Sequence, residues 1–229
     1  RTAGPAAADL PVAACPDLQA HLAAAAERDR LRAQVADLDD RLDRRSSSLT
    51  RQFDHVVELL ARWGMVAGWS LTERGELLAR IFHETDLLTA AVLADGLLDG
   101  LGPADLAGLV STLTYEHRSK DAPPPPWFPS GLVRERAAAI ERLARRLEAD
   151  ETRLGLPLTK APDPTFLALA HAWAAGGSLQ VVLGDEDLSG GDFVRNVKTL
   201  IDLVRQIAEV APEPATRHAA AAAAEALFR

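Results

Sequence analysis

Hydrophobic residues recur at steps of three and four positions through most of the chain, which is the spacing that places them along one face of an α-helix. The pattern is clearest in residues 191–209, which are predicted to form a long amphipathic helix that begins at a glycine. Its predicted buried stripe consists of Phe193, Val194, Val197, Leu200, Ile201, Val204 and Ile207. The periodicity therefore predicts a mainly α-helical protein in which this helix packs one face against a core.

The polar side of the same helix carries Arg195, Lys198, Asp202 and Arg205, also at steps of three and four. These four side chains share the face opposite the buried stripe. One interpretation is structural, because Lys198 and Asp202 can form an i,i+4 ion pair on an ordinary charged surface. The other is functional, with the charged face presented to a binding partner. The spacing alone leaves both open and favours the first.

The beginning of the chain is expected to be a linker followed by a charged helix. Residues 1–16 contain three prolines among alanines, a composition typical of linkers. Residues 17–48 are expected to form a helix that is one strand of a short coiled coil. The coiled-coil prediction depends on alternating steps between Leu31, Val35, Leu38, Leu42 and Leu49. The consecutive serines at 46–48 predict a break in the helix.

Residues 49–83 are expected to be part of a winged helix. A helix over 50–62 precedes a tight hairpin over 63–72, in which Gly64 and Gly68 permit the turns. Another helix follows, with acidic residues in its first turn. Winged helices can enter a DNA groove, so a winged-helix regulator is one function class to weigh. The hairpin contains no Lys or Arg, and the 50–62 helix is basic only at its ends, so packing against a neighbouring domain is favoured.

Residues 84–229 are expected to form a helical bundle. A capping residue at 85 or 86 precedes a helix over 87–98, and Gly102–Pro103 starts another helix that runs to about Arg118. Later helices are predicted over 132–153, after the caps Asp163 and Ser178, and near the end of the chain. Between them lies a run of four prolines within 121–130, which is interpreted as a stiff extended spacer rather than an SH3 ligand.

Composition limits the function classes. The 229 residues are 48% hydrophobic, enough to bury a core, and no run of about 18 apolar residues occurs, so we expect a soluble, cytoplasmic protein without membrane contact. The single cysteine, Cys15, can form no internal disulfide, in keeping with a reducing compartment. The net charge of −8 argues against a surface that attracts phosphates broadly, so any nucleic-acid contact would be a local patch.

No enzymatic motif is found in the sequence. ATP hydrolysis needs a Gly-x-x-x-x-Gly-Lys-Ser/Thr loop and an acidic Mg²⁺ motif after a strand, and neither occurs. Asp185–Leu188 resembles a DEAD-type motif but lies in a glycine-flanked loop. The six histidines show no HExxH pairing, and no GxSxG elbow is present. His83, Glu84 and Asp86 could form an acid–base cluster, but neighbouring residues on a helix point in different directions. We therefore expect no catalytic residue, no metal site and no cofactor in this chain.

Segments of the chain together resemble a known family. They are Leu71-Thr-Glu-Arg-Gly75, Ala79-Arg-Ile-Phe-His-Glu-Thr-Asp86, Asp99-Gly-Leu-Gly-Pro103, Thr114-Tyr-Glu-His-Arg118 and the helix Gly191–Ile207. Their order and spacing across residues 49–211 resemble the DSHCT domain, the carboxy-terminal helical domain of superkiller-type DExH RNA helicases, in its actinobacterial HelY-like form. Cys15-Pro-Asp17 and the charged helix after it resemble the stretch that precedes this domain.

This resemblance implies a DSHCT-like bundle preceded by a coiled-coil stalk remnant and a partial winged helix with a short β-hairpin. It also implies an accessory role in an ATP-dependent helicase, which is to guide single-stranded RNA, or DNA, leaving two RecA-like domains and to brace those domains. ATP and Mg²⁺ would then belong to the RecA-like domains, which are not in this sequence. The competing class is a protein-interaction or scaffold module without nucleic-acid binding, which the acidic net charge favours.

The resemblance also assigns the candidate nucleic-acid-binding residues, Arg195, Lys198, Thr199, Asp202 and Arg205. Arg195 matches the arginine of the family's Gly-x-x-x-Arg pattern, and Asp202 matches an acidic position after it. Thr199 stands where the eukaryotic pattern has a second arginine, and Lys198 is its basic neighbour. Contacts of this kind would be made to phosphates or stacked bases, largely without regard to sequence.

Overall fold

The computed structural model describes residues 15–118, 122–184 and 188–228, apart from the side chains of residues 40–48. These residues contain nine α-helices, one short 3₁₀-helix and one two-stranded hairpin, so the predicted mainly α-helical fold class is confirmed. The chain divides into two compact units, residues 1–54 and 55–229. The predicted linker at 1–16 lies almost wholly outside the described residues. In the part of the chain that is described, no helix is both long and apolar enough to span a bilayer.

Helix α1 extends from Leu18 to Arg62. The predicted break at serines 46–48 is therefore wrong. No glycine or proline interrupts this stretch, and a serine inside a helix costs only about 0.5 kcal/mol relative to alanine. Within the unit of residues 1–54, Leu31, Val35 and Leu38 are each more than half exposed. The side chain of Leu42 lies outside the described part, and the coiled coil stays a prediction.

The predicted hairpin follows α1. Strands β1 (Val66–Ala67) and β2 (Ser70–Leu71) pair antiparallel, the first residue of β1 opposite the last of β2. Gly68 has a φ of 63° in the turn, a left-handed conformation that glycine adopts without steric cost. Met65, just before β1, is fully buried, whereas Trp69 in the turn is 92% exposed. The hairpin therefore presents an indole ring to solvent.

Helix α2 (Glu73–Leu78) packs closely against this hairpin. Thr72 caps the helix, because its Oγ1 accepts a hydrogen bond from the N–H of Gly75 at 3.1 Å. The N–H of Thr72 in turn donates to the carbonyl oxygen of Met65 at 3.0 Å. A Cβ atom at Gly75 would lie only 2.0 Å from that same oxygen. The approach of hairpin and helix therefore requires glycine at position 75.

The remaining helices form the bundle. They are α3 (Asp86–Ala94), α4 (Pro103–Thr114), α5 (Gly131–Leu154), the 3₁₀-helix (Pro164–Phe166), α6 (Leu167–Ala174), α7 (Leu179–Leu183), α8 (Gly190–Val210) and α9 (Pro214–Leu227). The predicted caps Asp163 and Ser178 are confirmed, since each side chain accepts a hydrogen bond from an N–H of the following turn. Two predicted helix ends are wrong. α3 stops before Gly96, which has a φ of 65°, and α4 stops before Tyr115, which is extended.

Helix α4 lies at the centre of the bundle. All of its residues from Leu106 to Leu113 are buried, and it packs against α6, α8 and α9. At Gly108 the two helices α4 and α6 approach closely, because an added Cβ would lie 3.3 Å from the carbonyl oxygen of Leu167. Helix α8 packs on α4 and α9 along its inner side. Its other side is therefore left at the surface.

Candidate functional site

Helix α8 turns one face to the bundle and the other to solvent. The buried face contains Phe193, Val197, Leu200, Ile201, Val204 and Ile207, as predicted. On the opposite side, Arg195, Lys198, Asp202 and Arg205 are exposed, and Thr199 is half-buried at the edge. The structure therefore brings all of the candidate residues to one surface of α8. We call this surface the outer face of α8.

Two positions on α8 differ from the predicted stripe. Val194 is 47% exposed rather than buried, and Leu203, which the prediction omitted, is fully buried. Consecutive helical residues are rotated by about 100°, so Val194 projects on the same side as Lys198 and Arg205. The core therefore covers a sector of the helix that is rotated slightly away from Val194 and toward Leu203.

The first turn of α8 holds Arg195 in an ion pair. The Ser189 hydroxyl accepts a hydrogen bond from the N–H of Asp192 at 3.1 Å and donates one to its Oδ2 at 2.7 Å. The other carboxylate oxygen lies 3.2 Å from Nη1 of Arg195. The i,i+4 pair that the sequence suggested between Lys198 and Asp202 is not formed between these two described residues. Asp192, rather than Asp202, is therefore the carboxylate that faces a cation on this helix.

A groove runs beside the amino-terminal half of α8, with a volume of about 750 Å³. One side is α8 itself, through Asp192, Arg195, Asn196 and Thr199. The rest of its described lining consists of Glu84, Thr114, Tyr115, Glu116, His117, Arg118, Ala122, Pro124, Lys160, Thr165, Phe166, Leu169 and Leu188. The groove is open to solvent and has both polar and apolar lining residues, among them the two candidate residues Arg195 and Thr199.

The cations of this groove are matched by carboxylates. Nζ of Lys160 lies 3.3 Å from Oε1 of Glu84, and it also donates to the carbonyl oxygen of Thr114 at 3.3 Å. The guanidinium of Arg118 lies 3.0 Å from Glu116. The Arg195–Asp192 pair at the start of α8 is the third such pair in the groove. The charges of the described groove residues therefore largely cancel. The Arg118–Glu116 and Arg195–Asp192 pairs are exposed, and pairs of this kind contribute little to stability, about 0–1 kcal/mol each.

The wall opposite α8 is fixed by Asp163. Its Oδ2 accepts a hydrogen bond from the N–H of His117 at 2.6 Å, and its own N–H donates to the carbonyl oxygen of Thr112 at 2.8 Å. The ring of Tyr115 stacks on Phe166 with a centroid distance of 5.1 Å. These contacts replace the helical hydrogen bonds that the predicted extension of α4 to Arg118 would have made, which explains why the chain leaves the helix at Tyr115.

The surroundings of His83 lower the pKa of its imidazole. Burial lowers the pKa of this imidazole, Lys160 lowers it further, and the carboxylates of Glu84 and Asp86 oppose the shift. The N–H of Thr85 lies 3.2 Å from Nδ1, and because a backbone N–H can only donate, Nδ1 must accept. His83 is therefore hydrogen-bonded to Thr85, and Glu84 is paired with Lys160. His83, Glu84 and Asp86 do not form an acid–base cluster. In the described residues, no three His, Cys, Asp or Glu side chains converge as metal ligands.

Several residues near the outer face of α8 were missed by sequence reasoning. Lys160 stands alone in its segment, so periodicity carries no signal for it. Phe82 and Phe228 are 79% and 72% exposed, and each contacts the carboxy-terminal half of α8. Phe82 is in one of the segments that carry the family resemblance, but nothing in that pattern marks its ring as exposed.

Comparisons with known proteins agree on one family. The profile described as "DSHCT (NUC185) domain" matches residues 68–229. The chain is 37% identical over 216 residues to "Probable helicase HelY" of Mycobacterium leprae and 34% identical over 221 residues to the protein of that name in Mycobacterium tuberculosis. It is 28% identical over 163 residues to "DExH-box ATP-dependent RNA helicase DExH15 chloroplastic" of Arabidopsis thaliana.

These matches cover most of this chain but little of the relatives. The alignments include 88% and 90% of this chain for the two mycobacterial proteins and 68% for the plant protein. They span 24% of each mycobacterial protein and 14% of the plant protein. The chain therefore corresponds to about a quarter of the length of its mycobacterial relatives.

Proposed function

The chain belongs to the DSHCT (NUC185) domain family, and on this premise we propose that it is an accessory region of an ATP-dependent DExH-box RNA helicase. In that role it guides single-stranded RNA along the outer face of α8 and braces the motor domains. The sequence contains no Gly-x-x-x-x-Gly-Lys-Ser/Thr loop, so ATP and Mg²⁺ are assigned to RecA-like domains of the same polypeptide. A cytoplasmic location is part of the same proposal.

The observation that carries the guiding role is the arrangement of cations on α8. Arg195, Lys198 and Arg205 project into solvent from a single helix whose opposite face is buried in the bundle. Guanidinium and ammonium groups bind phosphate oxygens without reading base sequence. A helix that is fixed on its inner side holds these groups at constant spacing, which suits contact with successive positions along a strand.

The charge of the chain makes this binding weak and local. The net charge is −8, and Arg195 is paired with Asp192. A phosphate must therefore compete with a carboxylate for at least one of the cations. Each phosphate neutralised on a single strand contributes about −0.7 to the slope of log K against log salt, so three cations would give a slope of about −2.

The bracing role rests on the hairpin. Trp69 in the turn is 92% exposed and Leu71 at the end of β2 is 50% exposed. Tryptophan is enriched at protein–protein interfaces, where its large rigid surface is buried without much loss of conformational entropy. We assign this hairpin to contact with a motor domain of the same polypeptide.

A protein-interaction module without nucleic-acid binding is the second candidate function. It is favoured by the negative net charge and by the pairing of the groove cations with carboxylates. In that case the outer face of α8 would dock a protein, and RNA would have no measurable affinity for this chain.

The two functions are separated by fluorescence anisotropy of this chain with a labelled single-stranded RNA of about 20 nucleotides, longer than the about 4–16 nucleotides that one single-strand-binding fold covers. We expect binding that weakens with salt and is lost in the double variant Arg195→Glu/Lys198→Glu. The matched control is Arg142→Glu/Arg145→Glu on α5, which makes the same charge change on another exposed helix face. No binding by the unaltered chain at low salt would overturn the guiding role and favour the protein-interaction module.

A further inference from the structure

Two residues with exposed aromatic rings contact the carboxy-terminal half of α8. Phe82, between α2 and α3, is 79% exposed, and Phe228, just after α9, is 72% exposed. Exposed large apolar side chains are common singly, so exposure alone carries no functional meaning. Here, however, the backbone of Phe82 and the ring of Phe228 contact the neighbouring residues Gln206 and Arg205 of α8, the helix that carries the candidate binding residues.

Phe82 is fixed beside Gln206. Its backbone N–H donates to Oε1 of Gln206 at 2.6 Å. Two residues further along, Glu84 lines the same groove as Arg195 and Thr199. The segment 82–84 therefore runs alongside α8, with Phe82 toward the end of the helix and Glu84 toward its start. The backbone of Phe82 therefore lies on the groove side of the outer face, and its ring is largely exposed to solvent.

Phe228 is held by Arg205. The Cζ atom of this arginine lies 5.6 Å from the centroid of the phenyl ring, within the range of a cation–π contact. Such contacts at exposed sites contribute little, so the guanidinium remains free to turn toward an incoming phosphate. Arg205 and Gln206 are consecutive and therefore project about 100° apart around α8. Phe82 and Phe228 consequently contact α8 on different sides, the first through its backbone and the second through its ring.

We propose that Phe82 and Phe228 are stacking platforms for unpaired bases of the strand whose phosphates contact the outer face of α8. This inference rests on the proposed guiding function and adds to it a second set of contacts, to bases rather than to phosphates. Base–aromatic stacking tolerates any sequence, because every base has a π-face. It thus supplies affinity where the acidic net charge limits the electrostatic contribution.

The surroundings of the rings favour a base over a protein surface as the occupant. Phe82 lies beside the amide of Gln206, and Phe228 lies beside the guanidinium of Arg205, with Asp202 one turn earlier on the helix. Both residues therefore meet α8 at polar or charged side chains. The core of a protein–protein interface is instead depleted of charged residues. Aromatic rings interleaved with cations are typical of surfaces that bind single strands.

The test uses this chain with single-stranded RNA that carries 2-aminopurine, a fluorescent base whose emission is quenched on stacking. We expect Phe82→Ala and Phe228→Ala each to weaken binding by about fivefold or more and to relieve the quenching. Phe82→Tyr should retain both properties, whereas Phe82→Leu, apolar but unable to stack, should not. Trp69→Ala is the matched control, since it removes an exposed aromatic ring from the hairpin.

A second ligand separates stacking from phosphate contact. On an oligomer with the same phosphates but no bases, the phenylalanine variants and the unaltered chain should bind equally. Circular dichroism confirms folding of each variant, and the exposure of both rings makes a loss of folding unexpected. Full affinity of the alanine variants for RNA, together with loss in Arg195→Glu/Lys198→Glu, would overturn the stacking inference and leave the guiding function intact. Equal binding by Phe82→Leu would also overturn it, because an apolar contact would then suffice. No RNA binding by the unaltered chain would overturn both.

Discussion

The indole N–H of Trp63 donates a hydrogen bond to Oδ2 of Asp150 at 3.2 Å, joining the residue after α1 to helix α5. The ring of Trp63 is buried, and the guanidinium of Arg146 lies over it, with Cζ 4.9 Å from the ring. The other oxygen of Asp150 lies 3.5 Å from Arg62 and 3.7 Å from Arg153. The carboxylate of Asp150 thus accepts a hydrogen bond from a buried N–H and pairs with two arginines where α1 meets α5.

Asp150→Ala is expected to lower the free energy of unfolding by about 1–3 kcal/mol, because it leaves the buried indole N–H without its acceptor. Asp150→Asn, which keeps an oxygen in place, should cost less. Urea denaturation followed by tryptophan fluorescence measures both, with Glu148→Ala as a control at an exposed position of the same helix. Equal stability of the alanine and asparagine variants would contradict the importance of this hydrogen bond.

Gly75→Ala is expected to destabilise the hairpin and α2 by about 1–3 kcal/mol, since overpacking costs of that size follow when a side chain is forced into a filled space. The new Cβ would lie 2.0 Å from the carbonyl oxygen of Met65, and a backbone oxygen cannot rotate away. Gly131→Ala at the first residue of α5 is the matched control, because no atom lies within 4 Å of the added Cβ there. Thermal unfolding should show a lower Tm for the first variant alone.

The stability of the protein should fall on acidification partly through His83. The pKa of His83 in the folded protein is below the 6.5 of an unperturbed histidine, because burial disfavours the charged ring. As pH falls below about 6.5, the unfolded chain therefore binds a proton first, and folding loses free energy until the folded pKa is passed. Glu84 and Asp86 raise this pKa and Lys160 lowers it, so the shift is the net of these effects.

His83→Asn isolates this contribution, because the asparagine oxygen can accept the hydrogen bonds of Thr85 but does not titrate. Urea denaturation between about pH 5 and pH 8 should show a smaller loss of stability for the variant than for the unaltered chain. Parallel curves would mean that the folded pKa is not lowered.

Asp192→Asn is expected to tighten binding to single-stranded RNA about two- to fivefold at low salt, since it removes the carboxylate that pairs with Arg195. The same change should slightly weaken α8, because a negative charge in the first turn favours the helix by about 0.3–1 kcal/mol. Anisotropy titrations at two salt concentrations measure the effect. An unchanged affinity would indicate that Arg195 does not contact the strand.

Local patterns predicted the helices better than their ends. The buried stripe of α8 followed from its spacing except at Val194 and Leu203, where the sector covered by the bundle is set by neighbouring helices. The end of α4 could not be predicted, since Tyr115 leaves the helix to stack on Phe166, 51 residues further along the chain. The serines at 46–48 do not break α1, because the intrinsic penalty of serine in a helix is small.

The candidate site could be predicted only in part, because some of its contacts join residues that are far apart in the sequence. The exposed cations of α8 share a helix, so periodicity places them together. The fold brings together Lys160 and Glu84, which are 76 residues apart in the sequence. Neither local sequence predicts that pair. The same holds for the bond from the backbone of Phe82 to Gln206 across 124 residues. The groove is therefore a property of the tertiary structure.

The packing of α8 on its inner side has a mechanical consequence. The helix has 21 residues and is about 32 Å long at about 1.5 Å per residue. It packs on α4 and α9, and near its end Gln206 accepts a hydrogen bond from the backbone N–H of Phe82. A force applied to Arg195 would therefore be transmitted to the helices that α8 packs on, and would not bend α8 alone. In the proposed function, RNA would therefore move along a helix that stays fixed to the bundle.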